Sequence, residues 1–589
     1  MRILVRAIIG AFALFGVLVL SLCLFVGIGI VNQDLFRFHA DSVLSSMVLR
    51  VSFDNPLPEV AEAGFGLVSG NQMTTIEMVQ ILDYAATDPT VRGLIARIGD
   101  TGRSLAQAQE LHAAILRFRE SGKPTFAFTE TIGEAPGSIA DYVLASAFSE
   151  IWLQPSGTLG LSGFGTEVPF IRRALHKVGI DYELSQRWEY KSAFDSVVRD
   201  DMSAAHRESL SRLLRSWQDQ AVAGITQGRS LETSVVRSSS RVLPFLAEEA
   251  RDAGLVDHLG YLDDAVRALY AAAGTEEEAL IEDYASFAGK QKGDHTTPVI
   301  ALVHEAGPIT AGKSEQSPPS GRIGSDTVIE AMRTALSDTN VKAILLRINT
   351  PGGDYVASDA IWNQLAKARE KGVPVVVSMA DYAASGGYFV SMPAHKIVAS
   401  PATLTGSIGV FSGKAVLSGL WEKLGVSWER VEAAPNTLTN SSTQSFTEEE
   451  KAWMEKRLDA IYADFTSKLA EARGLSPDQV DRVARGRIWS GQQAKERGLV
   501  DELGGFATAV RVAREAIGVE EGQSVRIVSF PPPKTGFEQF IALFETRLGM
   551  MDSLHVLSGF ITRLQPVMVA LLDVFPRSSA VTMQVPGTP

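Results

Sequence analysis

A serine at position 385 lies in a segment whose residue types suit nucleophilic chemistry. The apolar run 375–378 predicts a buried strand that ends near Met379, and small residues flank the serine on both sides. A serine at a strand-to-helix turn can expose its hydroxyl, while the N–H groups of the helix N-terminus point at a developing oxyanion. Serine is also a preferred N-cap residue, so the residue types leave open a role for Ser385 in capping only.

A second turn that could contribute to a reaction site contains Gly352 and Gly353. The apolar run 341–348 predicts the strand before it, and residues 349–354 (Asn-Thr-Pro-Gly-Gly-Asp) end that strand. Because glycine has no Cβ, the backbone N–H groups of such a turn can approach a ligand closely.

The strands and helices that position these turns occur twice in the chain. Residues 91–98 match 341–348, and the register holds without a gap as far as 119–124 and 369–374, at a constant difference of 250. Each copy has the pattern of a strand, a helix and a second strand, the βαβ unit of an α/β fold. The copies match again near their ends, around Gly260 and Gly504. These ordered matches predict a duplicated α/β unit.

Three segments of the second copy carry a family resemblance: 349–353, 381–388 and 404–409. Together they resemble the signal peptide peptidase A (protease IV) family, in its long, duplicated form with an N-terminal anchor. The resemblance extends from the N-terminus to about residue 515. It implies a ClpP/crotonase-like fold in both halves and a Ser–Lys dyad.

The resemblance also implies a role for individual residues. Ser385 falls on the family's nucleophile, and Lys191, in a Tyr-Lys-Ser-Ala context, falls on its general base. Ser407 falls on a second serine that helps to orient the lysine. The backbone N–H groups of Gly353 and Gly386 are the expected oxyanion donors.

The two copies differ at the residues that this dyad requires. Downstream of the βαβ unit the difference in number becomes 246. At the corresponding positions the other copy has different residues: Ile139 opposite Ser385 with Ser138 one residue before it, Thr437 opposite Lys191, and Gly102-Arg103 opposite Gly352-Gly353. We therefore predict one composite site per chain, with the lysine from the first half and the serine from the second.

To act as a base, Lys191 needs surroundings that lower the pKa of its amine. Lysine accepts a proton only when it is neutral, so its pKa of about 10.4 has to fall by roughly 3 units. Burial can shift a lysine pKa that far, and the neighbouring Trp188 and Tyr190 could supply apolar surroundings.

Other catalytic arrangements fit the sequence less well. A Ser–His–Asp triad would need His304 or His395, and no Gly-x-Ser-x-Gly elbow surrounds Ser385. Asp354 and Asp381 suit turns or caps. A single cysteine and the lack of a His-Glu-x-x-His motif disfavour a metal site, and the predicted hydrolysis needs no cofactor.

Charge and hydropathy favour a membrane over a nucleic acid as partner. The net charge is −13, and no dense Lys/Arg stripe offsets it. Residues 7–31 are uncharged and mostly apolar, which as a helix is enough to cross about 30 Å of hydrocarbon. Arg2 and Arg6 precede this run, so we expect the N-terminus in the cytoplasm and the body on the outer side of the cytoplasmic membrane.

These inferences divide the chain into six segments: 1–6 (cytoplasmic), 7–31 (transmembrane signal anchor), 32–274 (first repeat, with the lysine), 275–297 (linker), 298–530 (second repeat, with the serine) and 531–589 (apolar, amphipathic tail). The resemblance implies an ATP-independent serine endopeptidase that degrades signal-peptide remnants and other short apolar peptides as a homotetramer. The alternatives are a non-catalytic membrane scaffold and a crotonase-type acyl-CoA enzyme.

Overall fold

The computed structural model describes residues 46–60, 73–288, 297–315, 321–520 and 523–531. The predicted anchor at 7–31 and all but the first residue of the predicted tail lie outside these ranges. Within them, no helix combines the length and the apolar character needed to cross a membrane.

Helices and strands alternate along both halves, as in an α/β fold. The first half contains β1 (Met47–Phe53), α1 (Thr75–Thr87), β2 (Val91–Ile98), α2 (Leu105–Glu120), β3 (Thr125–Thr129), α3 (Ile139–Ser146), β4 (Glu150–Leu153), β5 (Thr158–Leu159), α4 (Arg172–Lys177), β6 (Asp181–Arg187), α5 (Asp195–Val198), α6 (Ala204–Arg229), α7 (Thr233–Ser239), β7 (Phe245–Leu246), α8 (Ala247–Asp252), β8 (His258–Leu259), α9 (Leu262–Ala273), β9 (Glu278–Leu280) and α10 (Ile281–Ala288). The second half contains β10 (Val299–Ala306), β11 (Ile309–Thr310), β12 (Ile323–Gly324), α11 (Ser325–Ser337), β13 (Val341–Thr350), α12 (Tyr355–Glu370), β14 (Val375–Ala384), α13 (Gly386–Ser391), β15 (Lys396–Ala399), β16 (Leu404–Gly406), β17 (Val410–Val416), α14 (Ser418–Lys423), α15 (Glu448–Arg473), α16 (Pro477–Val483), β18 (Ile488–Ser490), α17 (Gly491–Glu496), β19 (Glu502–Leu503), α18 (Phe506–Ala516) and β20 (Arg526–Ser529).

Each half builds one mainly parallel sheet. The first has the order β8-β4-β3-β2-β1-β9, with parallel neighbours throughout. The second has the order β18-β16-β14-β13-β10-β20, with β15 beside β14 and with β18 antiparallel to β16. The central strands read as continuous apolar runs because both of their faces are buried, as residues 343–348 of β13 are.

Several elements of the two halves correspond in length and contacts. Helices α2 and α12 have 16 residues each, and α6 and α15 have 26 each. Tyr142 and Tyr388 make the same hydrogen bond in the two halves, from the hydroxyl to the carbonyl of Leu255 and Leu499 respectively. The two tyrosines differ by 246 in number, which is the register that sets Ile139 opposite the serine.

The first part of the predicted linker, 275–297, belongs to the first sheet instead. Strand β9 pairs in parallel with β1, and Ile281 and Tyr284 of α10 are buried. The charges of this segment suggested a linker, but Glu278 lies on an edge strand, where it faces solvent and pairs with Arg50 at 2.8 Å.

An antiparallel ladder joins the two halves next to the site. Strand β6 of the first half pairs with β17 of the second, from Asp181 opposite Val416 to Arg187 opposite Val410. The chain that leaves β6 toward Lys191 is therefore fixed on the second half.

A buried ion-pair cluster forms a second contact between the halves. Arg347 of β13 donates to both carboxylate oxygens of Glu59 at 3.0 Å and to Glu110 of α2 at 2.8 Å. All three side chains are at most 5 % exposed. Burial opposes ionisation of Glu59, but the charge and hydrogen bonds of Arg347, together with the nearby His304, outweigh it and lower the pKa of Glu59 to about 2.

Candidate active site

Ser385 lies at the junction between β14 and α13. Strand β14 has 10 residues where β3 has 5, and the extension pairs with β16 from Tyr382 to Ala384. The Ser385 N–H donates to the carbonyl of Gly406 at 2.8 Å, and the serine has a φ of 54°, which is uncommon for a residue with a Cβ. Although Ser385 occupies the N-cap position of α13, its side chain makes no capping hydrogen bond. Helix capping therefore does not explain the serine.

Lys191 reaches this serine from the other half of the chain. Its Nζ lies 2.9 Å from Ser385 Oγ, 2.9 Å from Ser407 Oγ and 2.7 Å from the Ser407 carbonyl oxygen. The structure thus brings together the three side chains that the sequence selected. Ser407 has a φ of 50°, a second left-handed serine at the site.

The amine of Lys191 is buried. The residue is 3 % exposed, and burial lowers the pKa of its amine to about 7. The groups that it contacts are two hydroxyls and a carbonyl, which do not stabilise an ammonium ion as a carboxylate would. A substantial fraction of the amine is therefore neutral near pH 7 and able to accept a proton.

The glycine turn at Gly352 and Gly353 packs against Ser385 and Gly386. A Cβ on Gly352, which has a φ of 104°, would lie 2.7 Å from the nitrogen of Gly386 and 2.9 Å from the Cβ of Ser385. A Cβ on Gly386 would lie 3.1 Å from the nitrogen of Gly353. In the part of the chain that the structure describes, neither of these two N–H groups donates to a backbone acceptor. Two such donors beside a serine hydroxyl can stabilise an oxyanion.

The corresponding turn in the first half is filled by a carboxylate. Asp141 accepts hydrogen bonds from the N–H groups of Thr101 and Gly102 at 3.0 and 2.8 Å, and it pairs with Arg103. The side chains of Arg103 and Asp141 are 0 % exposed. The N–H of Arg103, which corresponds to Gly353, donates to the hydroxyl of Thr101 at 3.2 Å. Because all three N–H groups already have partners, this turn is structural.

The residues weighed for other mechanisms have other partners. His395 Nδ1 accepts from the N–H of Val375 at 3.0 Å, and His304 Nε2 lies 3.6 Å from Glu59. Asp354 caps α12 through a hydrogen bond of 2.8 Å, as predicted. No group of three or more potential metal ligands occurs in the ranges that the structure covers.

The two aromatic residues next to Lys191 in the sequence have contacts of their own. Trp188 is 42 % exposed and packs edge to face on Tyr462. Tyr190 donates its hydroxyl to Glu208 at 2.9 Å.

A further contact, which sequence reasoning missed, is made by a turn at residues 485–487. Its backbone forms hydrogen bonds with the segments that carry Lys191 and Ser407. An Arg-Gly-Arg triplet carries little signal, since such residues are also typical of surface turns.

Comparison with known proteins places the chain in a family. The model for "Peptidase family S49" matches residues 117–276 and 367–520, together more than half of the chain. Protease 4 of Salmonella typhi is 35 % identical over 451 residues, which are 74 % of this chain and 71 % of that protein. The chloroplastic serine protease SPPA of Arabidopsis thaliana is 29 % identical over 547 residues, 90 % of this chain and 79 % of that protein.

Solved structures add little about the fold. A mutant ClpP1 from Listeria monocytogenes covers 38 % of this chain and 94 % of its own, with 17 % identity and a TM-score of 0.22, which is too low to support a ClpP-like assignment. The predicted ClpP/crotonase-like fold therefore stays a prediction within the observed α/β class. The family match and the identity to the Salmonella protein show that the chain belongs to peptidase family S49 and is a serine peptidase.

Proposed function

We propose that this protein is a membrane-anchored endopeptidase in which Ser385 is the nucleophile and Lys191 is its general base. The 2.9 Å distance from Lys191 Nζ to Ser385 Oγ carries the proposal, because it joins a buried amine to a hydroxyl that caps nothing. A serine hydroxyl is a poor nucleophile until an adjacent base takes its proton. The two contacts with Ser407 hold the amine in line with that hydroxyl.

The geometry supports an acyl-enzyme mechanism. Ser385 Oγ attacks the scissile carbonyl carbon while its proton passes to Lys191 Nζ, and the new oxyanion faces the N–H groups of Gly353 and Gly386. Collapse of this intermediate breaks the C–N bond, and the ammonium of Lys191 gives its proton to the leaving amine. Water then attacks the ester, Lys191 accepts the water proton and returns it to Ser385 Oγ, and the new carboxylic acid leaves.

We further propose signal-peptide remnants and other short apolar peptides as substrates, cleaved without ATP or a cofactor. The names of the relatives, Protease 4 and SPPA, support a protease of this class. The apolar run 7–31 supports a single-pass anchor in the cytoplasmic membrane, with residues 1–6 inside and the catalytic body outside. The resemblance to the signal peptide peptidase A family supports a homotetramer.

Covalent labelling of the detergent-solubilised full chain with a fluorophosphonate tests the nucleophile. We expect the label on Ser385, because a serine activated by an adjacent base reacts far faster than an ordinary one. Ser385→Ala should abolish the labelling. Ser138→Ala is the matched control, since Ser138 stands at the N-cap of α3 in the first half, and it should label like the wild type. A wild-type protein that carries no label, or carries it on another serine, would contradict the assignment.

The pH dependence of cleavage tests the base. The pKa of Lys191 is about 7, so the amine is mostly protonated below that pH and mostly neutral above it. We expect kcat/KM for a fluorogenic peptide to rise about tenfold per pH unit on the acid side and to level off above roughly pH 8. A midpoint near the ordinary lysine value of about 10.4 would rule out a buried, neutral base.

A further inference from the structure

The turn at residues 485–487 in the second half packs directly on the backbone of Lys191. The N–H of Tyr190 donates to the carbonyl of Arg485 at 3.2 Å. At the next residue, Gly486, an added Cβ would lie 2.3 Å from the nitrogen, 2.6 Å from the Cα and 2.7 Å from the Cβ of Lys191. The contact is between two backbones, so any side chain at this position would displace the lysine.

The same turn also holds the residue that accepts hydrogen bonds from the amine. The N–H of Gly486 donates to the carbonyl of Ile408 at 2.8 Å, and the N–H of Ser407 donates to the carbonyl of Arg487 at 2.7 Å. Ser407 in turn accepts from Lys191 Nζ through both its hydroxyl and its carbonyl. One turn therefore fixes the lysine and its second set of partners relative to each other.

The side chains of the turn add contacts between the two halves of the chain. Arg485 donates to both carboxylate oxygens of Glu189, at 2.9 Å from Nε to one and from Nη2 to the other. Arg487 stacks on the ring of Tyr190 at 3.9 Å. The charged groups on these elements thus pair with each other or with an aromatic ring, and the amine of Lys191 keeps uncharged partners. The Arg485–Glu189 pair is partly exposed, at 33 % and 43 %, so it contributes little free energy and serves mainly to fix geometry.

We infer that the turn at 485–487 is the positioning element of the catalytic lysine, which sets how deeply its amine is buried and how it is aligned on Ser385. The inference rests on the proposed role of Lys191 and extends it. If the turn moved outward, water would reach the amine, and its pKa would rise toward the value of an ordinary lysine. A positioning role therefore shifts the pH dependence of the reaction, whereas a purely structural role changes only the amount of folded protein.

The test compares Gly486→Ala with Gly372→Ala in the full chain. The rate of fluorophosphonate labelling at Ser385 is measured as a function of pH. Gly372 has a φ of 75°, close to the 85° of Gly486, but a Cβ there would meet nothing within 4 Å. Both variants thus carry a similar backbone strain, and only one presses on Lys191. We expect Gly486→Ala to label about 100-fold more slowly at pH 7, with a midpoint raised by about one pH unit, and Gly372→Ala to keep both wild-type values.

A second variant keeps the test decisive if Gly486→Ala does not fold. Arg485→Met removes the ion pair with Glu189 and leaves the backbone of the turn unchanged in sequence. We expect about threefold slower labelling and a smaller rise of the midpoint. A folded variant of either kind that keeps the wild-type midpoint would overturn the positioning role, even if its rate fell. Failure of the proposed function would look different, because the wild type itself would then carry no label on Ser385.

Discussion

Replacing Lys191 with methionine is expected to lower kcat/KM for peptide cleavage by about 10⁴-fold or more. Methionine keeps an unbranched apolar stem, so the loss reports the missing amine rather than a cavity. Without Nζ at 2.9 Å, the Ser385 hydroxyl keeps its proton, and only the oxyanion donors and substrate binding remain. Steady-state cleavage of a fluorogenic peptide measures the effect.

Two comparisons make this result specific. Ser385→Ala should cause a loss of similar size, and the double variant should be no worse than either single one, because the two groups act as a unit. Lys177→Met, at an exposed lysine of the same half, should keep wild-type activity. A Lys191→Met enzyme that retains a tenth of wild-type activity would disprove the dyad.

Lys191→Met should also change the stability of the protein, by an amount that depends on pH. The folded-state pKa of Lys191, about 7, lies below its unfolded value, so the unfolded chain binds more protons between the two. Burial of the wild-type amine therefore lowers the free energy of unfolding at neutral pH, and this penalty disappears as the pH rises through about 10.4. We expect Lys191→Met to unfold at a higher temperature than the wild type at pH 7, with the advantage shrinking by pH 9.

Replacing Arg347 with methionine is expected to lower the free energy of unfolding by about 3–5 kcal/mol. The substitution leaves the carboxylates of Glu59 and Glu110 buried without their cation, and the cluster links the two halves of the chain. Denaturant unfolding of the solubilised protein at pH 7 measures the loss. Arg333→Met, at an exposed arginine of α11, is the matched control and should change the free energy by less than about 0.5 kcal/mol.

The destabilisation caused by Arg347→Met should be smaller in acid. The pKa of Glu59 in the folded wild type is about 2, below its unfolded value, so its ionisation stabilises the fold above the unfolded pKa. That stabilisation is lost as the pH falls through about 2, whereas in the variant Glu59 takes up a proton at a higher pH. The difference in free energy of unfolding between variant and wild type should therefore decrease below about pH 4. A difference that stays constant with pH would argue against the ion pairs as its source.

Most of the fold could be predicted because buried strands and equal helices recur at fixed intervals. The offset of 250 residues between the two copies relates the first and last residues of α2 to those of α12, so the two helices have the same length. The edge strand β9 was missed because one of its faces is solvated, which makes its charged residues look like a linker. The backbone pairing of β9 with β1 could not be predicted from the side chains of β9.

The candidate site was only partly accessible from sequence. The residue type does not show whether a lysine is buried or solvated, so Lys191 could be selected only through a family resemblance. Its burial depends on the β6–β17 ladder and on a backbone contact with Gly486, both of which join residues far apart in the chain. The pairing of the N–H donors of Thr101 and Gly102 with Asp141 was equally hidden, because an aspartate after a turn reads as an ordinary cap.

The separation of Lys191 from Ser385 by 194 residues has a consequence for biosynthesis. A ribosome adds about 5–20 residues per second, so roughly 10–40 s pass between the synthesis of the lysine and that of the serine. The turn at Gly486 emerges later still. Under the proposed mechanism, the nascent chain is inert during most of its own synthesis, and proteolytic activity begins only when the segment that contains Gly486 has been made. The order of the residues along the chain is therefore sufficient to delay activity until late in synthesis.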